Sequence, residues 1–268
     1  MKEKIGVITG NHVQNALCKI LTDKGVCCKS VENIHGMNEK SFEDFNRIIL
    51  PFPSRSDKIR FLSKGEKLSD YLTEKQTVTG GMFSEDIIQD LEEHGIGYND
   101  YFTSEAYVLK NAFITSQGVL RLLLENAKAF LPGKKVLITG FGRIGRSLAL
   151  MLKSLGMKVF VAARSESALC EAQALGFEVF RLSVVTGTLF YYDFIINTVP
   201  SDIFTKKDIS HIRSDTVYFE VASSPYGAER SLFEAENKPY IDAGALPGKL
   251  YPDAVAVNIA DYILNSGK

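Results

Sequence analysis

The chain contains no uninterrupted apolar stretch that approaches the roughly 18 residues a membrane-spanning helix needs. Its opening, MKEKIGVITG, leads into a strand-like run and lacks the apolar core of a secretory signal, so we expect a cytoplasmic protein with no membrane partner. An excess of one charge is also missing, because 31 Lys and Arg residues stand against 32 Asp and Glu residues. This balance argues against nucleic acid as a partner, and any anion must be bound by a local site.

Cysteine is scarce, and the four cysteines lack the C-x-x-C spacing of a metal site. Cys27 and Cys28 are adjacent, so they point to opposite faces of an extended strand. We therefore expect reduced structural thiols and no metal. The composition is otherwise ordinary, with 45% hydrophobic and 24% charged residues, which excludes bulk disorder. A length of 268 residues favours two compact units.

Strand and helix signals alternate along the whole chain. In the first third, an apolar run at Ile5–Thr9 is followed by helical spacing over residues 12–24, and residues 84–94 predict an amphipathic helix after Ser84. From Pro132 onwards, six strand signals separated by helical segments predict a doubly wound sheet. The predicted fold class is α/β, with a C-terminal Rossmann domain and a smaller flavodoxin-like N-terminal domain. The predicted divisions are residues 1–114, the N-terminal α/β domain; 115–131, a linking helix; 132–252, the Rossmann domain; and 253–268, a helix that packs back toward the N-terminal domain.

A glycine-rich turn follows the first strand of the Rossmann domain and begins a helix. Gly140, Gly142 and Gly145 fit G-x-G-x-x-G in the context that gives this motif its meaning. Gly140 allows a tight turn, Gly142 lets a diphosphate approach the backbone, and Gly145 lets the helix lie close to the sheet. The positive end of the helix then faces the anion. The turn predicts a dinucleotide site that includes Arg143 and Ile144, and a turn that only packs is the alternative.

The next strand ends in Ala163, Arg164 and Ser165, where a NAD site usually has Asp or Glu. Arg164 could pair with a 2′-phosphate and Ser165 could add a hydrogen bond, which favours NADP over NAD. The alternative is that Arg164 is a solvated residue at a strand end. A later strand ends in a segment that we expect beside the nicotinamide ribose, unless it is a simple strand-end turn: Asn197, Thr198, Val199 and Pro200.

Five segments carry a family resemblance: GFGRIG, AARS, INTVPS, EVASSPYG and DAGALPGKLYPDAVAVNIADYIL. Together they resemble the family formed by the first of the two subunits of dipicolinate synthase, which makes the dipicolinic acid of bacterial endospores. The resemblance covers Pro132–Leu264 most closely. It implies NADP as the cofactor, the flavoprotein-like second subunit of dipicolinate synthase for a partner, and action in the mother cell of a sporulating bacterium. Self-association into a homo-oligomer is left open.

The resemblance also implies a reaction, in which 4-hydroxy-tetrahydrodipicolinate loses water and is oxidised to dipicolinate while NADPH forms. A ring with two carboxylates needs cationic or amide donors at two separated points. Such donors are expected in loops at the carboxyl ends of strands or facing a cleft between the domains. The candidate substrate-binding residues are Thr115, Ser116, Ser223, Ser224, Pro247, Gly248 and Lys249.

No residue stands out as the catalytic base, and the candidates are His12, Lys249 and Ser223. Two other functions compete with the first. A D-2-hydroxy-acid type of NAD(P)-dependent dehydrogenase would need an acid/base His late in the cofactor domain, but the chain has no His after His211. A nucleotide sensor without chemistry is the other alternative.

Overall fold

The computed structural model describes residues 3–34, 39–127 and 130–265. These residues form two compact units. The first contains the described residues up to Asn111 together with those from Tyr251 onwards, and the second is Ala112–Leu250. Each unit is built on one parallel sheet, and the predicted α/β class is confirmed. No helix in the described part of the chain has both the length and the apolar character needed to cross a membrane.

The elements of the described residues follow one another in chain order. The strands are β1 (Lys4–Thr9), β2 (Cys27–Glu32), β3 (Arg47–Ile49), β4 (Thr77–Gly80), β5 (Gly97–Asp100), β6 (Lys135–Thr139), β7 (Lys158–Ala163), β8 (Glu178–Arg181), β9 (Phe194–Asn197), β10 (Val217–Glu220) and β11 (Tyr240–Asp242). The helices are α1 (His12–Asp23), α2 (Glu85–Glu93), α3 (Glu105–Asn126), α4 (Arg143–Ser154), α5 (Glu166–Ala174), α6 (Leu182–Val185), α7 (Lys206–Ser210), α8 (Arg230–Ala235), α9 (Leu246–Leu250) and α10 (Pro252–Asn265). Short 3₁₀ turns occupy Glu39–Ser41, Ser56–Lys58, Leu68–Asp70, Tyr101–Thr103 and Thr186–Tyr191.

The first unit has the strand order β2-β1-β3-β4-β5, with every pair parallel. This is the flavodoxin-like order of a doubly wound sheet. Helix α1 begins after Asn11, whose side chain accepts a hydrogen bond from the amide of Gln14 at 3.1 Å. Helix α10 packs against α1 within this unit. In the same unit, Cys18 and Cys28 are free thiols whose sulfur atoms lie 3.2 Å apart.

The second unit has the order β11-β10-β9-β6-β7-β8, again all parallel, which is the Rossmann order. Strand β6 illustrates how the sequence builds this sheet. The side chains of a strand alternate between its two faces. Val136 and Ile138 enter a core that also contains Leu148 of α4. Leu137 enters a separate core on the other face, which also contains Tyr218. Strand β6 therefore supplies both cores, and its polar last residue, Thr139, lies at the carboxyl edge of the sheet.

Three local predictions need correction. Helix α3 begins at Glu105 and ends at Asn126, whereas the predicted linking helix covers 115–131. The earlier start follows from Ser104, whose hydroxyl caps α3 by accepting from the amide of Tyr107 at 3.4 Å. Strand β5 has no counterpart in the predictions, since its sequence GYND shows no apolar alternation. Pro247, Gly248 and Lys249 lie in the helical turn α9 instead of a loop.

Candidate dinucleotide site

Three glycines determine the shape of the turn between β6 and α4. Gly140 has a φ of +91°, and a Cβ there would lie 2.5 Å from Thr198 Oγ1. A Cβ on Gly145 would overlap the carbonyl oxygen of Gly140, so the helix approaches the turn this closely only without a side chain. A Cβ on Gly142 would have no heavy atom of the described residues within 4 Å apart from its chain neighbours. The turn is thus closely packed at Gly140 and Gly145 and open at Gly142.

Helix α4 begins at this open turn. Gly142 is its N-cap residue and has no side chain that could satisfy the first amides. The amide of Arg146 is bonded to the carbonyl of Gly142 at 2.9 Å, which marks the start of the regular helix. The amides that precede this bond have no acceptor within a helix. Together with the helix dipole they favour an anion, and the open space at Gly142 leaves room for a diphosphate.

Arg164 follows the last residue of β7 and lies at the surface. Its NH2 donates a hydrogen bond to the hydroxyl of Ser201 at 2.8 Å, so the guanidinium bridges from β7 to the loop after β9. This partner is neutral, and in the described residues no carboxylate is paired with Arg164. Ser165 is the N-cap of α5 and accepts from the amide of Ala168 at 3.3 Å. Ala163 is buried at the end of the strand.

The segment from Asn197 to Pro200, at the end of β9, differs from the prediction at its first residue. Asn197 is fully buried, and its side chain bonds to Thr139, Val199 and Glu220. The Asn197 side chain therefore stabilises the residues around the site from the interior and is not exposed to a cofactor. Thr198 and Val199 are half-buried and Pro200 is exposed. The Thr198 hydroxyl donates to the carbonyl of Thr139 at 2.8 Å, which ties this segment to the glycine turn.

The predicted substrate-binding residues fall into two groups. Ser223 and Ser224 are exposed in the loop after β10, and Gly248 and Lys249 are exposed on α9, where Pro247 is half-buried. The Lys249 ammonium group donates to the carbonyl of Gly244 at 2.9 Å.

Thr115 and Ser116 form the second group, and both are buried within α3. Ser116 has no exposed surface, and its hydroxyl donates to the carbonyls of Ala112 at 2.9 Å and Ile144 at 3.3 Å. The prediction that Ser116 faces a substrate is therefore wrong, because its hydrogen bonds and its burial place it in the packing between α3 and the start of α4.

Two residues of this edge have no counterpart in the sequence predictions, namely Glu220 and Ser201. Glu220 is the last residue of β10 and is 1% exposed. Burial raises the pKa of its carboxyl above the usual value, although hydrogen bonds from Asn197, Tyr218 and two backbone amides oppose the shift. A signal for Glu220 exists in the sequence, since an acidic residue ends the otherwise apolar run VYFE. Ser201 has no such signal, because its role depends on Arg164 from a distant strand.

Comparison with known proteins bears on this geometry. Residues 123–246 match the family model described as D-isomer specific 2-hydroxyacid dehydrogenase, NAD binding domain. The first subunit of dipicolinate synthase from Bacillus subtilis (strain 168) is 26% identical over 162 residues, which cover 60% of this chain and 54% of that protein. The chain thus aligns with about half the length of this curated relative.

Two solved structures share the fold. The same subunit from Bacillus halodurans has a TM-score of 0.83 at 20% identity, with 99% of this chain and 98% of that chain covered. The Bacillus subtilis structure also has a TM-score of 0.83, at 21% identity, with 98% and 95% covered. The resemblance to the first subunit of dipicolinate synthase is confirmed. The dehydrogenase-type NAD-binding domain indicates a nicotinamide dinucleotide as cofactor.

The residues present fit such a cofactor. The open space at Gly142 and the first amides of α4 would hold the diphosphate, and Arg164 and Ser165 lie at the strand end where the adenosine ribose of a dinucleotide is bound in this fold. When bound, the dinucleotide supplies the acceptor for a hydride. Of the candidates for catalysis, Ser223 and Lys249 lie in the second unit, while His12 is the exposed first residue of α1 in the first unit.

Proposed function

We propose that this protein is an NADP-dependent oxidoreductase that acts as the first subunit of dipicolinate synthase. The substrate would be 4-hydroxy-tetrahydrodipicolinate, which loses water and then a hydride and a proton to give dipicolinate. The observation that carries the proposal is that GFGRIG, AARS, INTVPS and EVASSPYG, four segments of the family resemblance, come together at one edge of the second unit's sheet. On the same resemblance we propose the mother cell of a sporulating bacterium as the place of action.

The choice of NADP rests on the end of β7. An Asp or Glu at this place would accept hydrogen bonds from a free ribose 2′-hydroxyl and repel a 2′-phosphate. This chain has Arg164, held by a neutral hydroxyl, and a guanidinium forms strong paired hydrogen bonds with phosphate. The charge of Arg164 thus supports the phosphorylated cofactor.

The chemistry demands little of the side chains. After loss of water the ring is a dihydropyridine, and its oxidation to a pyridine gains aromatic stabilisation, so hydride transfer is strongly downhill. The residues of this chain then mainly hold the dicarboxylate in place and keep its charges neutralised. The exposed hydroxyls of Ser223 and Ser224 and the ammonium group of Lys249 are the groups proposed for that task. The flavoprotein-like second subunit of dipicolinate synthase is the proposed partner.

An absorbance assay tests the proposal. Purified protein is mixed with NADP+ and freshly generated hydroxy-tetrahydrodipicolinate, with and without the flavoprotein-like partner. We expect the absorbance of NADPH to appear in at least one of these mixtures and to be absent without substrate. Binding of NADP+ with no turnover in either mixture would instead favour a nucleotide sensor. Turnover of a D-2-hydroxy acid in place of the dicarboxylate would favour the dehydrogenase alternative, against which the absence of His after residue 211 argues.

A further inference from the structure

Three polar side chains cross the carboxyl edge of the second unit's sheet in register. Thr139, Asn197 and Glu220 are the last residues of β6, β9 and β10, and the strand pairing sets Thr139 beside Asn197 and Asn197 beside Glu220. The Thr139 hydroxyl lies 2.6 Å from Asn197 Oδ1, and Asn197 Nδ2 donates to Glu220 Oε1 at 2.7 Å. All three are buried to 1% exposure or less, so the row is shielded from water.

The row is connected to the loops that form the candidate site. Asn197 accepts from the amide of Val199 and donates to its carbonyl, both at 3.0 Å, and so fixes the loop after β9. Glu220 accepts from the amides of Ala222 at 3.1 Å and Gly227 at 2.8 Å, which are the two ends of the loop that carries Ser223 and Ser224. Thr139, the third member of the row, is the residue that directly precedes the glycine turn. One buried carboxylate is thus linked to all three loops at this edge.

All four hydrogen-bond partners of the Glu220 side chain can donate, and an ionised carboxylate accepts from all of them. Its Oε1 accepts from Asn197 and Ala222, and its Oε2 accepts from the Tyr218 hydroxyl at 2.9 Å and from Gly227. Each oxygen faces one backbone amide, which can only donate. A glutamine side chain would therefore set an N–H group against a backbone N–H in either orientation. Burial raises the pKa of Glu220, and the four hydrogen bonds to its oxygens oppose that shift.

We propose that Glu220 is a positioning residue for the dinucleotide, which sets the arrangement of the glycine turn, the loop after β9 and the loop after β10. It acts through Asn197 and through the backbone amides, and it need not touch the cofactor. This role of Glu220 rests on the proposed dinucleotide site of this chain.

The test compares Glu220→Gln with Asp193→Asn. Both replace a partly or fully buried carboxylate of the second unit by an amide, but Asp193 precedes β9 and lies at the opposite end of that strand from Asn197. Calorimetric titration with NADP+, at a temperature where circular dichroism shows both variants folded, gives the dissociation constants. We expect Glu220→Gln to raise the dissociation constant by about tenfold or more, and Asp193→Asn to leave it within about twofold of the wild type.

Two outcomes overturn the positioning role while leaving the cofactor site intact: unchanged affinity in Glu220→Gln, or an equal loss in Asp193→Asn. If the wild-type chain binds neither NADP+ nor NAD+, the proposed cofactor site fails and the role of Glu220 fails with it. If Glu220→Gln does not fold, Tyr218→Phe tests the positioning role in its place, because this variant removes one hydrogen-bond donor to the Glu220 carboxylate and keeps the aromatic ring. We expect that variant to raise the dissociation constant by about threefold, and an unchanged value would contradict the role of Glu220.

Discussion

At the scale of single residues, Arg164 carries the distinction between two cofactors. Its guanidinium is at the surface and bonds to the neutral hydroxyl of Ser201. If the Arg164 guanidinium leaves Ser201 and binds the 2′-phosphate of NADP, it exchanges a neutral partner for a doubly charged one, which strengthens the hydrogen bonds.

Replacement of Arg164 by Ala tests this role. We expect Arg164→Ala to weaken binding of NADP by about 1–3 kcal/mol and to change binding of NAD much less, because only NADP has the 2′-phosphate. Ser201→Ala is the matched control, and it should retain the preference for NADP because the charge of Arg164 remains. Titrations with both dinucleotides measure the effect, and an equal loss for both would remove the basis for choosing NADP.

Gly142 is the second residue whose effect is specific. Its Cβ position is open, so Gly142→Val should leave folding largely intact and block the approach of the diphosphate to the backbone. Gly187→Val is the control, because a Cβ on Gly187 also meets no described atom within 4 Å apart from its chain neighbours, and that residue lies in the Thr186–Tyr191 turn, outside the motif. Calorimetry should detect dinucleotide binding in the control and none in Gly142→Val. Normal affinity in Gly142→Val would contradict the placement of the diphosphate.

At the scale of elements, the two ends of the strands in the second unit's sheet differ in role: contacts that stabilise the fold lie at the amino end of β9, and the candidate site lies at the carboxyl ends. Asp193, before β9, accepts from the amide of Lys135 at 2.8 Å and pairs with Lys134 at 3.3 Å and Arg213 at 3.2 Å. Partial burial opposes its ionisation, but these contacts outweigh burial and hold the pKa of Asp193 below its usual 3.8. The carboxyl ends of the same sheet carry the candidate site.

The lowered pKa of Asp193 predicts a pH effect on stability. A carboxylate with a depressed pKa in the folded state stabilises the fold above the unfolded-state value of 3.8, and this contribution is lost as pH falls through the folded-state pKa. Asp193→Asn should therefore lower the free energy of unfolding at neutral pH and show a weaker decline on acidification than the wild type. Urea unfolding at neutral pH and below pH 3.8 measures both, and parallel declines would contradict the assignment.

Helix α10 is the element that joins the end of the chain to the first unit. Ile259 is 3% exposed within that unit, whereas Val257 on the same helix is 43% exposed. Ile259→Ala should lower the free energy of unfolding by about 2–5 kcal/mol, because it removes a buried side chain and leaves a cavity. Val257→Ala should change it by less than about 1 kcal/mol. Similar losses in the two variants would show that α10 is not packed as described.

At the scale of the whole molecule, local patterns predicted the fold class and the position of the glycine turn in it, whereas the assignments of site residues stay predictions. The six strand signals after Pro132 correspond to the six strands of the second unit's sheet, and G-x-G-x-x-G lies between a strand and a helix as expected. Local patterns were not sufficient for Asn197 and Ser116. A polar residue near a motif can bond either to a ligand or to groups in the protein interior, and the pattern is the same in both cases. The difference lies in partners from distant strands, such as Glu220 for Asn197, which spacing along the chain does not reveal.

The most direct measurement is a crystal structure of the protein grown with NADP+. We predict the diphosphate against the amides after Gly142 and the 2′-phosphate beside the guanidinium of Arg164, with the Arg164 bond to Ser201 rearranged to admit it. A crevice without nucleotide at saturating NADP+, or a nucleotide whose 2′-phosphate points away from Arg164, would contradict this placement.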